Sequence, residues 1–438
     1  MEHGKEADSR TDEAAGPVDR NLTQIATHRL KDPAVDVPPD AAGARLRLSM
    51  PALANKTYFN YGGQGPLPSP SLQAINATWD TIQSLGPFTT AVWPEVEGTV
   101  ARLRQRLSQW LGVPSSRVCF TENVTSGCVL PLWGLPWRAG ETLILSDCEH
   151  PGVVAACREL ARRHQLGLEW LPVADLRGSA EQAEGQVLER LERMLRPGIR
   201  LVVLSHLLWN TGQLMPIPRV AECLAQLGSR PWLLVDGAQS LGSIPVAAAA
   251  SAADIYACTG HKWCCGPEGL GVVAVSERLL EQARPTLIGW RSLRLESQGG
   301  SPFHADGRRF EVATSCIPLF AGLDRSLQLL EEVGSAAERL SVIRGLSARL
   351  WQGLQQIPGF ESLLTVPPPA GLVSFRLREG WLSVTPAELV ARLGRQAIWL
   401  RSLDDPACLR ACTHVVSTEA EIDRLLGSLP SLPPLPAT

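Results

Sequence analysis

One lysine stands alone in most of this chain. The 438 residues carry 41 Lys plus Arg, yet only four are lysines: Lys5, Lys31, Lys56 and Lys262. Arginine substitutes for lysine as a surface cation. It does not substitute for a lysine whose amine must lose its proton and act as a nucleophile. A compositional drift towards arginine explains the depletion but not the survival of Lys262. Other chemically able residues gather at the ends of short apolar runs. Asp147, Glu149 and His150 follow the run 142–146; His206 and Asn210 follow 200–205; Asp236 and Gln239 follow 232–235; Thr259, His261 and Lys262 follow 255–258. By residue type alone, several of these have bland readings. Asp236 suits a helix cap, and Gln239, Thr125 and Thr259 suit turns. Arg410 suits a structural ion pair. His150 and His261 suit core positions or metal ligation, but no third ligand stands at a zinc-like spacing.

The elements that must position these residues alternate. Helical spacing over 95–111 is followed by a buried strand at 142–146, a helix at 153–164 and a strand near 168–173. A helix near 182–195, a strand at 200–205, a helix at 218–227 and strands at 232–236, 255–258 and 271–275 follow. This alternation predicts an α/β fold with a mainly parallel sheet between helices, and ligands in such sheets collect at the carboxyl ends of the strands. Helical spacing returns over 319–354, and a small α+β domain is predicted beyond it. The expected organisation is a polar, loosely docked or disordered extension over 1–50 and a large domain over 51–320. A linker helix with the small domain follows over 321–429, and a Pro-rich tail over 430–438.

The segment Thr259-Gly260-His261-Lys262-Trp263-Cys264-Cys265-Gly266-Pro267-Glu268-Gly269, preceded by Asp236-Gly237-Ala238-Gln239, resembles the class V aminotransferase family of fold-type I pyridoxal-phosphate (PLP) enzymes. The cysteine desulfurases are its best-known branch. The stretches Phe59-Asn60-Tyr61-Gly62-Gly63-Gln64-Gly65 and Arg309-Phe310-Glu311-Val312-Ala313-Thr314-Ser315 resemble its cystine/cysteine C–S lyases and isopenicillin-N-epimerase-like members. The resemblance implies a seven-stranded-type sheet in the large domain and PLP as cofactor. Lys262 is then the Schiff-base lysine and proton shuttle, with His150 stacked on the cofactor ring as a second catalytic residue. Asp236 would pair with the pyridine nitrogen and Gln239 with the phenolic oxygen. Thr125 and Ser126, in Phe120-Thr121-Glu122-Asn123-Val124-Thr125-Ser126-Gly127, would hold the phosphate at a helix start, with Thr259 and His261 adding donors. Thr314 would reach the phosphate of a neighbouring subunit, which implies a homodimer with shared active sites. Arg410 would take the substrate carboxylate as a bidentate pair, with Arg401 a second cation, Asn210 an aid to either ligand and Trp290 a further substrate contact.

The family's desulfurases carry a nucleophilic cysteine on a mobile loop just before the carboxylate arginine. Here only eight residues separate Arg401 from Arg410, and they include Asp404-Asp405-Pro406. The expectation is therefore β-elimination from cystine or a cysteine-like amino acid to pyruvate, ammonia and a sulfur or persulfide product. The alternatives are a desulfurase, an epimerase or an aminotransferase of the same family, or an inactive PLP-binding interaction protein. A formal charge of −3 gives no nucleic-acid or membrane-binding surface, and no apolar run approaches the roughly 20 residues of a membrane span. A charged amino terminus without an apolar stretch, and eleven irregularly spaced cysteines without a C-x-x-C pair, predict a cytoplasmic protein with reduced thiols.

Overall fold

The computed structural model describes residues 42–294, 302–378 and 384–429. The chain enters through helix α1 (Ala42–Leu48), strand β1 (Thr57–Tyr58) and helices α2 (Ser69–Leu85) and α3 (Trp93–Leu111). The central region then runs β2 (Val118–Thr121), α4 (Val124–Trp133), β3 (Thr142–Ser146), α5 (Pro151–His164), β4 (Gly167–Leu171), α6 (Ala180–Met194), β5 (Ile199–Ser205), α7 (Ile217–Ala225), β6 (Trp232–Asp236), α8 (Ala247–Ala252), β7 (Ile255–Thr259), β8 (Gly271–Val275) and α9 (Glu277–Gln282).

These strands form a seven-stranded sheet in the order β2-β8-β7-β6-β5-β3-β4. The neighbours β7, β6, β5, β3 and β4 are parallel, and β8 runs antiparallel to both β7 and β2. The inner strands β6, β7 and β8 are buried along their whole length, as Trp232-Leu233-Leu234-Val235-Asp236 shows. A strand covered on both faces needs a continuous apolar run rather than alternation. Each fully buried large apolar side chain there contributes about 1.5–3 kcal/mol. The order reverses between β3 and β5: β3 leads through α5 to β4 on one side, while β5 leads through α7 to β6 on the other. That reversal leaves a crevice at the carboxyl ends of β3 and β5, where ligands of open α/β sheets bind.

Helices α10 (Ile317–Val333) and α11 (Ala336–Gln355) follow, then β9 (Phe360–Ser362), β10 (Leu372–Leu377), α12 (Pro386–Arg395), β11 (Ile398–Trp399), β12 (Arg401–Asp404), β13 (Ala407–Cys412) and α13 (Glu419–Ser428). A four-stranded antiparallel sheet, β12-β13-β10-β9, is the heart of the small domain. Among the described residues no helix is long and apolar enough to cross a membrane.

Three boundaries differ from the sequence reading. The helical spacing over 319–354 is two helices, broken at Gly334 with φ of 150° and restarted by the Ser335/Glu338 capping box. Helix α10, expected in the linker, packs on α2 and α3, with Asp324 bound to Arg106 at 2.7 Å and Ser326 to Ser71 at 2.8 Å. At the other end, residues 42–50 are not part of a loose extension. Leu46 and Met50 are buried, and Arg47 forks onto Glu421 of α13 at 2.9 Å. With Leu46 as its single buried residue, α1 leaves almost no periodicity to read. Strand β1 joins β11, and Phe59 is buried in the small-domain core, so the chain crosses from the small domain into the large one just before Gly62. The remainder of the expected extension and the expected tail lie outside the described residues.

Candidate active site

The crevice holds a cavity of about 210 Å³ lined by Gly62, Gly63, His150, Ser205, Leu207, Trp209, Asp236, Ala238, Gln239, Lys262, Arg401 and Arg410. Six of the candidate residues therefore meet: His150 after β3, Asp236 at the end of β6, Gln239 just beyond it, Lys262 after β7, and Arg401 and Arg410 on adjacent strands of the small domain. Lys262 is partly buried, and no hydrogen bond or ion pair holds its Nζ among the described residues. Burial pushes its ammonium down to about 8; Asp236 opposes that shift, and Arg410 adds to it. Asp236 is buried, and burial raises its proton affinity against the Ala238 N–H, which donates to Oδ1 at 2.8 Å, and the nearby Lys262 and His150. No protein group bonds Oδ2 among the described residues, which leaves that oxygen for a ligand.

His150 caps α5, its Nδ1 accepting the Gly152 N–H at 3.2 Å, and its ring meets Trp209 edge-on at 6.1 Å. Burial lowers its proton affinity, and with Nδ1 accepting that bond the neutral ring carries its proton on Nε2. Gln239 donates from Nε2 to Gly62 O at 2.9 Å and accepts Trp263 Nε1 at 2.9 Å, leaving one amide N–H unassigned. Arg410 is 2% exposed; one guanidinium nitrogen donates to Trp209 O at 2.8 Å, and its Nε has no partner. Arg401 is exposed and stands directly opposite Arg410 in the β12–β13 register.

Thr125 and Ser126 lie in the first turn of α4, capped by Asn123, whose side chain accepts the Ser126 N–H at 2.9 Å. A Cβ on Gly271 would fall 2.4 Å from Asn123, so only glycine lets this helix start approach the β7–β8 edge beside Thr259. Thr259 donates its hydroxyl to Leu270 O at 3.1 Å and meets His261 Nδ1 at 2.8 Å. The two expected phosphate donors are thus paired with each other, and Thr259 acts on His261 rather than outwards.

Thr125, Ser126, Thr259 and His261 do not line the cavity, and neither do the three remaining candidates. Asn210 accepts the Thr211 N–H at 2.9 Å and directs Nδ2 to Cys148 Sγ at 3.4 Å and Asp405 O at 3.5 Å. Its side chain braces the loop after β5 against the β12–β13 turn and contacts no ligand space. Trp290 is half exposed in a separate cleft, edge-on to Trp93 at 6.2 Å. Thr314 is exposed and away from its own chain's cavity. Sequence reasoning missed Gly62, Ser205 and Trp209 as lining residues. Gly62 had a signal in its Gly-Gly motif: a Cβ there would sit 2.8 Å from Gln239 Oε1 and 3.1 Å from an Arg410 nitrogen. Ser205 had the signal of a strand-end residue, closing β5, and Trp209 lies in the loop that follows.

The profile of the family described as Aminotransferase class-V matches residues 91–425. The chain belongs to the class V aminotransferase family. It is 30% identical over 427 residues to an isopenicillin N epimerase of Amycolatopsis lactamdurans, covering 89% of this chain and 98% of that one. A cysteine desulfurase of Haloferax volcanii is 24% identical over 74% of this chain and 76% of its own. Among solved structures, the cystine C–S lyase C-DES in complex with its reaction product cysteine persulfide matches with a TM-score of 0.83 and 41% identity, over 88% of this chain and all (100%) of that chain. The class V enzyme described here is accordingly PLP-dependent, with the fold-type I architecture. Its site suits that cofactor: a partly buried amine without a hydrogen-bond partner among the described residues, a buried carboxylate with one oxygen that none of them bonds, and a helix start and a flat histidine beside them.

Proposed function

We propose that this enzyme is a C–S lyase that carries out β-elimination on cystine or a cysteine-like amino acid. With cystine, one water enters, and pyruvate, ammonia and cysteine persulfide leave. The observation that carries this reading is the β12–β13 hairpin. Arg401 and Arg410 pair in antiparallel register, and the turn between the strands is only Asp405-Pro406. Cys408 lies within β13, fully buried against Leu363 and Leu403, and burial pushes its thiol up to about 11. A thiol fixed in a strand and held protonated is a poor sulfur acceptor. The likeness to the cystine C–S lyase supports the same reading.

Bound at this site, PLP supplies an electron sink that lets bonds at an amino acid's Cα and Cβ break. The chain's residues then have distinct tasks. Lys262 anchors the cofactor and, with a proton affinity near neutrality, takes the Cα proton. Asp236 holds the proton of the ring nitrogen. Gln239 offers its unassigned N–H to the phenolic oxygen. His150 covers the ring, and the first turn of α4 with Thr125 and Ser126 receives the phosphate. Arg410, a buried cation that lines the cavity, clamps the substrate carboxylate. Arg401 faces the same cavity and suits the second carboxylate of a disulfide-linked amino acid. A persulfide sulfur leaves more readily than a plain thiolate because its conjugate acid is stronger.

We further infer a homodimer that completes the phosphate site, because Thr314 is exposed and outside its own cavity, near an exposed cleft with Trp93 and Trp290. Eleven unpaired cysteines suit a cytoplasmic location. The epimerase reading draws support from the 30% identity to isopenicillin N epimerase. Product analysis decides between these readings. Pyruvate as the carbon product from cystine is expected. Alanine would make the enzyme a desulfurase, and solvent deuterium at the Cα of a recovered amino acid would make it an epimerase.

A further inference from the structure

Glu149 is a buried carboxyl that the preceding roles do not use. It sits between Cys148 and the helix-capping His150, at the reversal point of the sheet. Strand β3 pairs with β5 only as far as Leu145 opposite Val203, so the N–H of Ser205 finds no strand partner there. The Glu149 carboxyl fills this gap. Its Oε1 accepts Ser146 Oγ at 2.5 Å and Ser205 N–H at 2.7 Å, and its Oε2 accepts Ser205 Oγ at 3.0 Å. Ser205 lines the active-site cavity and stands opposite Asp236 in the β5–β6 register.

The groups around this carboxyl are uneven in charge. Asp236 faces it from β6, and the thiols of Cys128 on α4, Cys148 in the loop and Cys157 on α5 lie near it. Arg158, Glu159 and Arg162 of α5 border the shallow cavity on its outer side, yet no cation stands within ion-pair distance among the described residues. Three donors converge on the carboxyl and no cation neutralises it. Such donors favour the ionised form, whereas burial and Asp236 disfavour it and push its proton affinity up to about 7.

We propose that Glu149 is a positioning residue of the cofactor site: it fixes Ser205 and the His150 turn across the crevice floor, and its negative charge behind Asp236 strengthens that carboxylate's hold on the proton of the cofactor ring. The charge acts through Asp236, at no direct contact with the cofactor, and adds negative potential under the whole site. That potential also favours a protonated nitrogen on Lys262. This inference rests on Asp236 as the partner of the ring nitrogen.

The test compares wild type, Glu149→Gln, Glu149→Asp and Ser146→Ala. Glu149→Gln keeps size and loses charge. Ser146→Ala keeps the carboxyl but removes one donor, which raises its proton affinity and shifts it towards the neutral form at pH 7. Two readouts are used: the affinity of the apoprotein for PLP, followed by tryptophan quenching, and the pH titration of the cofactor's visible band. In Glu149→Gln the affinity should fall by about fivefold or more, and the band should titrate about 0.5 pH unit lower or further. Ser146→Ala should move both in the same direction by less, and Glu149→Asp should restore part of the loss. Wild-type affinity and titration in Glu149→Gln would overturn the proposal. Should Glu149→Gln not fold, Ser146→Ala decides: a shift in the stated direction supports the proposal, and wild-type values overturn it. Asp236→Asn separates the two layers of the argument. If it leaves affinity and titration unchanged, the Asp236 assignment fails; if it changes both while Glu149→Gln changes neither, only the Glu149 proposal fails.

Discussion

Replacing Arg410 by lysine keeps the positive charge and removes the fork. The guanidinium is buried, one nitrogen is anchored to Trp209 O at 2.8 Å, and Nε has no protein partner. The guanidinium lines the cavity, so a substrate carboxylate can engage it while the anchor holds the plane of the group. A lysine has a single nitrogen. If it takes the Trp209 carbonyl it meets the carboxylate at poor geometry; if it meets the carboxylate it leaves the carbonyl bare. Either way about one charge-assisted hydrogen bond is lost, worth about 1.5–3 kcal/mol. At 1.4 kcal/mol per tenfold, KM for cystine should rise about 10- to 100-fold. Because the contact serves bound substrate and transition state alike, kcat should stay within about threefold. The assay is steady-state pyruvate release, with the cofactor's visible band checking that PLP remains bound. A KM within about threefold of wild type, with cofactor bound, would refute the clamp. A larger KM penalty in Arg401→Lys would move it to the neighbouring strand.

Lys262→Ala should still bind PLP but lose nearly all turnover, and borohydride should no longer fix the cofactor to the chain; covalent fixation in that variant would place the anchor elsewhere. In the apoprotein, burial brings the Lys262 ammonium down to about 8, so the nucleophilic neutral amine grows as pH rises through that value. The rate of PLP attachment, followed spectroscopically, should climb from pH 6 to about 8 and level off above it; a rate still climbing steeply above about pH 10 would mean an unshifted lysine. Cys408→Ser should retain most pyruvate-forming activity from cystine, since this thiol is fixed in β13. Loss of that activity, with alanine as the remaining product, would make Cys408 a sulfur acceptor.

What the sequence disclosed follows from where physical constraint leaves a local trace. Strands buried on both faces must be apolar throughout, so β3, β5, β6, β7 and β8 were visible within a residue or two, and His150, Asp236, Gln239 and Lys262 after them meet in one crevice. Lys262 stood out because no other lysine follows Lys56. The misplaced residues are those whose position depends on contacts between distant parts of the chain. Asn210 follows a strand end just as His150 does, yet its amide meets Cys148 and Asp405, and the second of these partners lies 195 residues away. Thr259 looked like a free donor until Leu270 and His261 took its hydroxyl. Residues 42–50 were hidden because Leu46, Met50 and Arg47 dock against remote elements without any repeating pattern. Glu149 shows the same limit from the other side. Its place after a strand marked it as able to do chemistry, but only the early end of β3–β5 pairing reveals an N–H on Ser205 for it to accept. The site is thus built in two steps. Strand ends deliver the functional groups, which local sequence records; the reversal of strand order and the small-domain hairpin then decide which of those groups face one another, and that decision is written in long-range contacts alone.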